Sequence, residues 1–285
     1  GSEMCIRDRA LAATWNPALV ERVGAAIGNE LLEHGCDILL APALNIHRNP
    51  LCGRNYEYYS EDPLLSGRLA AAYVRGVQSQ GVGATLKHYV ANNQETNRKY
   101  IDEIIDLRTM KEIYLRGFSI AVREGKPWAV MSSYNKINGR WVAERPDLLV
   151  GELRGVMGFD GLVMTDWNSK ADLIGQLRAC NSLSMPGHRP ELQRVVEAVQ
   201  SGELTEEELD RNVRYVLEYI LKTPRFRGYE YGNRPDTEAN HAVSRRAAEE
   251  AVVLLRNEGG CLPLASGTRV MLFGVNAYDY ICLLY

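Results

Sequence analysis

Gly161-Leu-Val-Met-Thr-Asp-Trp167 is the stretch from which the fold is read. Between the glycine and the acid lie four residues of apolar or small character. Such a run reads as a strand buried on both faces, the kind found in parallel sheets. A carboxylate just past the C-terminal end of such a strand stands where parallel α/β folds carry their chemistry. The plainer role for Asp166 is to cap the helix that follows. The rest of the chain decides between the two.

Working outward, the same pattern recurs. Trp128-Ala-Val-Met-Ser-Ser133 is a strand leading into Tyr134-Asn135, and Val82-Gly-Ala-Thr-Leu86 is another ending at Lys87-His88. Asp37-Ile-Leu-Leu-Ala-Pro-Ala-Leu44 is a third, opening into a polar loop, and Arg178–Met185 holds a further short one. Helices alternate with them. Asn16-Pro17 is an N-cap followed by Pro at the first helical position, with apolar residues at helical spacing to Leu32 and Gly35 at the C-terminal cap. Ser60-Glu-Asp-Pro63 opens a second helix to about Gln80, and helices are expected near 109–124 and 146–157. Thr205-Glu-Glu-Glu208 is a capping box for a helix to about Lys222.

Alternating strands and helices imply right-handed βαβ units with a parallel sheet. Functional residue types gathered at C-terminal strand ends point to a (β/α)8 TIM-type barrel. Only five or six strands can be counted before residue 222, so the barrel is expected to be truncated at its N-terminus. Residues 10–222 form this unit. Residues 1–9 show no apolar period and read as a non-native leader. Residues 223–267 read as a linker and a helix from about Thr237 to Arg256. Residues 268–285 begin a second unit with the strand Arg269–Val275, and the last residues also read as non-native.

The 285 residues are 46% hydrophobic and 24% charged, with a net charge of −3. Interspersed acids and bases argue against a nucleic-acid or anionic-membrane partner. No apolar run approaches the roughly 18 residues of a membrane-spanning helix. The six cysteines form no CxxC pair and suggest neither a zinc site nor a disulfide framework.

Four clusters carry chemistry: Cys52-Gly-Arg-Asn55, Lys87-His88, Met131-Ser-Ser-Tyr134 and Thr165-Asp-Trp167. In a barrel they converge on one pocket. One acid, several cations and two aromatics suit a polyhydroxylated substrate, with Trp167 against a sugar face and the acid positioned to attack an anomeric carbon. Each residue also has a bland role. Arg54 can pair with Glu57 or Glu61, Lys87 can neutralise a buried acid, His88 can be a satisfied core histidine, and Tyr134 and Trp167 can be core.

The stretch from about Ala10 to Val275 resembles glycoside hydrolase family 3, of the β-glucosidase and β-xylosidase type. The matching segments are Ala12–Pro17, Leu39–Pro63, Leu86–His88, Val130–Asn135 and Val163–Trp167. The resemblance implies that Asp166 is the nucleophile of a retaining exo-acting glycosidase. It implies that Arg54, Lys87, His88, Met131, Tyr134 and Trp167 line the subsite for the non-reducing sugar. Lys87 and His88 would donate to sugar hydroxyls, Arg54 would help keep Asp166 ionised, and Tyr134 would hydrogen-bond it. The substrate would be an oligosaccharide or aryl glycoside, with no cofactor and no metal. The loop Tyr89–Glu95 lacks the His-Asp pair of the N-acetylglucosaminide-cleaving branch. The family's Asp-Gly-Pro motif on the first strand is absent. The acid/base Glu is expected from the second domain, an α/β sandwich, since Glu103, Glu144 and Glu258 have no motif support. A non-catalytic sugar-binding protein on the same scaffold is the alternative, and an aldolase-type barrel using Lys87 as a Schiff base is a third reading. Glucose and xylose are not distinguished, and no oligomeric state is read.

Overall fold

The structure, a computed structural model, describes residues 8–274. Helix α1 (Asp8–Ala13) begins two residues ahead of Ala10 and buries Leu11 and Ala12, so Asp8 and Arg9 belong to a helical turn anchored on the core. In α2 (Pro17–Glu33) the Asn16 side chain accepts the Leu19 N–H at 3.1 Å, and Pro17 sits where no N–H is required. Gly35, at φ +70°, turns the chain out of this helix.

Strand β1 is only Ile38–Leu39, shorter than the expected 37–44. Pro42 has no N–H to give a ladder. The contact with the next strand continues through carbonyls instead: Thr85 N–H donates to Ala41 O and Lys87 N–H to Pro42 O.

Helix α3 (Pro63–Ser79) is capped by Asp62, which accepts the N–H groups of Leu64 and Leu65. It packs against α2 at backbone contact. A Cβ on Gly76 would lie 2.0 Å from Glu21 O, and one on Gly24 would lie 2.4 Å from Tyr73 O. Only glycine permits this approach.

Strand β2 (Gly83–Tyr89) follows, then the short β3 (Asp102–Glu103). The helix expected over 109–124 is composite: α4 (Leu107–Thr109), a π-helical turn (Met110–Tyr114) and α5 (Leu115–Gly125). Strand β4 (Ala129–Ser132) precedes a tight hairpin of β5 (Lys136–Ile137) and β6 (Arg140–Trp141), turning through Asn138 and Gly139, both at positive φ. A π-helix (Asp147–Val156) leads to β7 (Leu162–Thr165). Helices α6 (Leu173–Arg178), α7 (Arg189–Gln200), α8 (Glu206–Ile220) and α9 (Thr237–Ala251) complete the order. The strand expected within 178–185 reduces to one parallel bridge, Met164–Leu183.

The chain is thus α/β with a four-stranded parallel sheet in the order β1-β2-β4-β7. Strands β4 and β7 run in register from Ala129 opposite Leu162 to Ser132 opposite Thr165. Every residue of β4 and β7 is buried. On one face Val130 and Val163 join the main core with the helices. On the other, Ala129, Met131, Leu162 and Met164 form a second apolar cluster with Tyr219 of α8.

Helix α9 stops at Ala251 rather than near Arg256. Val252–Leu255 is apolar, begins with two β-branched residues that favour extended chain, and is exposed. Residues 269–274 are likewise exposed and irregular, in place of the expected strand, and Val275 lies outside the described residues. An extended apolar run becomes a strand only when a neighbour pairs its N–H and C=O groups, and no described residue does so. Among the described residues no helix is long and apolar enough to cross a membrane.

Candidate active site

The end of β7 is held in the sheet up to the carboxylate. Thr165 N–H donates to Leu183 O at 2.9 Å and Asp166 N–H to Ser132 O at 3.2 Å. The Asp166 side chain accepts its neighbour's N–H, Trp167, at 2.7 Å, and the Tyr134 hydroxyl lies within hydrogen-bonding reach of the carboxylate. The helix that follows is capped by Asp172, whose carboxylate accepts the Gly175 N–H at 2.7 Å. Asp166 therefore does not cap it, although it is only 8% exposed.

At the end of β2 the register shifts between Leu86 and Tyr89, so that Lys87 and His88 leave the regular alternation. The peptide bonds Lys87–His88 and Tyr89–Val90 are cis. Asn45 organises this bend. Its amide donates to His88 O at 2.9 Å, and its oxygen accepts His88 N–H at 2.8 Å and lies 3.4 Å from Nδ1.

Arg54 Nη2 lies 3.0 Å from His88 Nε2. A guanidinium only donates, so Nε2 is the acceptor and the proton of a neutral imidazole sits on Nδ1, facing Asn45. Burial, reinforced by the charges of Arg54 and Lys87, holds the His88 pKa well below the usual imidazole value. The 3.6 Å approach of His88 Nε2 to Asp166 Oδ2 is therefore not an ion pair. In this arrangement Nε2 accepts, whereas the resemblance cast His88 as a donor to sugar hydroxyls.

Glu57 joins the cations. Its carboxylate receives Arg54 Nε and lies 3.8 Å from Lys87 Nζ. Burial lowers the Lys87 pKa, as an amine nucleophile would need, but Glu57 opposes that shift and holds the charge. Tyr134 donates its hydroxyl to Trp167 O at 2.8 Å. Burial, then the adjacent Asp166 carboxylate, push its phenol up and keep it protonated. Trp167 is 47% exposed at the rim, while Met131 is 2% exposed in the apolar face beneath.

Of the residues singled out by sequence, Arg54, Lys87, His88, Tyr134, Asp166 and Trp167 come together in one cluster, while Met131 belongs to the apolar cluster with Met164 and Tyr219. Several bland roles are also fulfilled, since Arg54 does pair with Glu57 and His88 is satisfied. Sequence reasoning missed Asn45, Asn92, Glu95 and Arg98. Glu95 accepts from Arg98 at 2.8 Å and from Asn92 at 3.0 Å, and Arg98 stacks on the Tyr134 ring at 4.8 Å. The signal was spacing: Glu95 and Arg98 stand three apart in the loop beyond Lys87-His88. Asp8 belongs to the same neighbourhood, with its carboxyl pushed up chiefly by burial and further by Glu57. Among the described residues no group of three or more His, Cys, Asp or Glu side chains could hold a metal ion.

Residues 4–219 match the model of the glycosyl hydrolase family 3 N terminal domain. The chain is 46% identical to thermostable beta-glucosidase B of Acetivibrio thermocellus, over 93% of this chain and 35% of that protein. It is 42% identical to an exo-alpha-(1->6)-L-arabinopyranosidase of Bifidobacterium longum, over 90% of this chain and 34% of the relative. The structure of beta-glucosidase 3B from Thermotoga neapolitana in complex with glucose superposes with a TM-score of 0.93 at 51% identity, covering 96% of this chain and 39% of that one. The chain therefore spans about a third of the length of the curated relatives it matches.

Proposed function

This chain belongs to glycosyl hydrolase family 3, and from that premise we propose that it carries the sugar subsite and nucleophile of a retaining, exo-acting β-glycosidase. The substrate is a terminal non-reducing sugar of an oligosaccharide or aryl glycoside. The sheet is read as the surviving strands of a (β/α)8 barrel, residues 10–222, with a linker and helix over 223–267 and a second α/β unit beginning near 268.

In this reading Asp166 attacks the anomeric carbon, the bond to the leaving oxygen breaks, and a covalent glycosyl-enzyme forms; water then hydrolyses it. Arg54, Lys87 and Arg98 donate to sugar hydroxyls. Tyr134, protonated and beside the nucleophile, steadies its carboxylate, and Trp167 packs on the sugar face at the rim. The leaving group takes its proton from a second carboxyl group roughly 5–5.5 Å away. Glu57 and Glu95 do not suit that role, since each is already committed to cations. The general acid is assigned to the part of the longer protein that this chain does not span.

The observation that carries the proposal is a nearly buried carboxylate at a strand end, relieved of the capping role by Asp172 and met by the Trp167 N–H and the Tyr134 hydroxyl. The loop sequence favours the glucosidase-like branch, and the arabinopyranosidase relative keeps the pentose alternative open to test. Incubation with a 2-deoxy-2-fluoro glucoside bearing an activated leaving group, which needs a nucleophile but little acid assistance, tests it. One glycosyl adduct mapping to Asp166 is expected. A folded chain that acquires no adduct, or acquires it elsewhere, overturns the assignment.

A further inference from the structure

Asn45 lies beyond β1, next to Leu44, whose N–H ties the loop to Lys87 O at 2.9 Å. It is buried, and among the described residues its side-chain hydrogen-bond contacts all go to His88. Two of them are to the backbone and fix which end of the amide is which. The His88 N–H only donates, so the atom 2.8 Å from it is the amide oxygen. The His88 carbonyl only accepts, so the atom 2.9 Å from it is the amide nitrogen. A flipped amide would set donor against donor and acceptor against acceptor. The oxygen therefore also faces His88 Nδ1, at 3.4 Å. An amide oxygen accepts only, so this contact calls for a proton on Nδ1.

The opposite edge of the ring agrees independently. Arg54 Nη2, which only donates, stands 3.0 Å from Nε2, and Asp166 Oδ2 stands 3.6 Å from the same nitrogen. Burial and the charges of Arg54 and Lys87 keep the ring neutral, so one proton has two addresses. The addresses differ in what they do to Asp166. On Nδ1 the proton leaves Nε2 as an acceptor, which fastens Arg54 and asks no electron pair of the carboxylate. On Nε2 it opposes the Arg54 N–H and points at the carboxylate. A further hydrogen bond to the attacking oxygen would steady the ground state and weaken the nucleophile. Arg54 alone does not settle the choice, because Glu57 also holds it and Asp166 offers Nε2–H an acceptor. Without Asn45, a proton on Nδ1 would be a buried donor with no partner.

We propose that Asn45 is a positioning residue of the glycosidase site: by holding the His88 proton on Nδ1, it reserves Nε2 for Arg54 and leaves Asp166 free to attack. This role rests on the function proposed above for Asp166.

Heteronuclear NMR of the whole chain with isotope-labelled histidine nitrogens tests it, the His88 signals being assigned by their loss in His88→Gln. A single ring proton, on Nδ1, is expected in the unmodified chain. In Asn45→Ala, first checked for a native circular dichroism spectrum, the tautomer ratio is expected to move toward Nε2–H by about tenfold or more. In the same variant the rate of fluoro-glucoside labelling at saturating reagent is expected to fall about tenfold per folded molecule. Asn45→Ser, whose shorter side chain does not reach the ring, is read in the same way should Asn45→Ala not fold. A proton on Nε2 in the unmodified chain overturns the proposal. So does a tautomer that the variant leaves unchanged, since Asn45 would then support the backbone alone, and so does a changed tautomer with labelling unslowed. Failure of the catalytic reading looks different: no label forms on Asp166 in the unmodified chain, while the His88 tautomer still depends on Asn45.

Discussion

The α2–α3 layer and the strand-end cluster are built on opposite principles. In the layer, Gly24 and Gly76 bring two helix backbones into direct contact, and the surrounding leucines, valines and alanines are almost wholly buried. In the cluster, Arg54, Lys87, Arg98, Glu57, Glu95 and Asp166 gather within reach of one another, and Asn55, Asn92 and Asn93 keep buried amide atoms without partners. The layer is held chiefly by apolar packing. The strand ends carry desolvated charge that a packed core would not tolerate unpaired. The difference shows that this chain separates what folds it from what acts.

The sharpest way to break that separation is Asp166→Asn. Hydrolysis of an activated aryl glycoside is expected to fall by at least ~10³-fold, while the thermal midpoint stays within a few degrees or rises. A variant that unfolds would make Asp166 a structural residue. The converse change is Gly76→Ala, whose methyl would meet the Glu21 carbonyl. A loss of about 1–3 kcal/mol in denaturant unfolding is expected, with unchanged fluoro-glucoside labelling per folded molecule. Labelling that collapses with stability would tie the two regions together.

A smaller effect comes from His88. Its folded pKa is depressed, so the stability of its neutral form is complete above the unfolded imidazole value of about 6.5 and is lost as pH falls from there toward the folded value. Stability measured from pH 7 to 5 should show a slope that His88→Gln reduces, by at most about 1.4 kcal/mol per pH unit, leaving the part due to His47, whose pKa burial also lowers. Equal slopes would mean that His88 protonates freely in the fold. The smallest effect is expected from Asp62→Ala, which removes the α3 cap and costs about 1 kcal/mol without touching activity.

What was legible in the sequence follows the same division. Buried strands such as Leu162–Thr165 and capped helices such as Pro63–Ser79 stand out because their signals are local. The Asn138-Gly139 turn and α7, with Pro190 at its start and Leu192, Val195 and Val199 at helical spacing, were equally local and went unread. By contrast, β1 stops short of Pro42, which has no N–H to give, and its pairing partner lies 45 positions along the chain, Ile38 opposite Gly83, a non-local matter. Residues 269–274 carry a strand's composition without a partner strand. In the site, residue types were readable but hydrogen-bond direction was not. That His88 accepts from Arg54 depends on Asn45, which lies 43 residues away in the chain.

The enclosed imidazole has one further consequence, for chemical probing. Acylating reagents that seek histidine need an unshared electron pair open to solvent. His88 is 2% exposed and both its ring nitrogens are occupied by neighbours, whereas His34, His188 and His241 lie at the surface. Carbethoxylation would therefore mark the periphery first and spare the histidine nearest Asp166. Inactivation by such a reagent would report on the surface of this molecule and not on its centre.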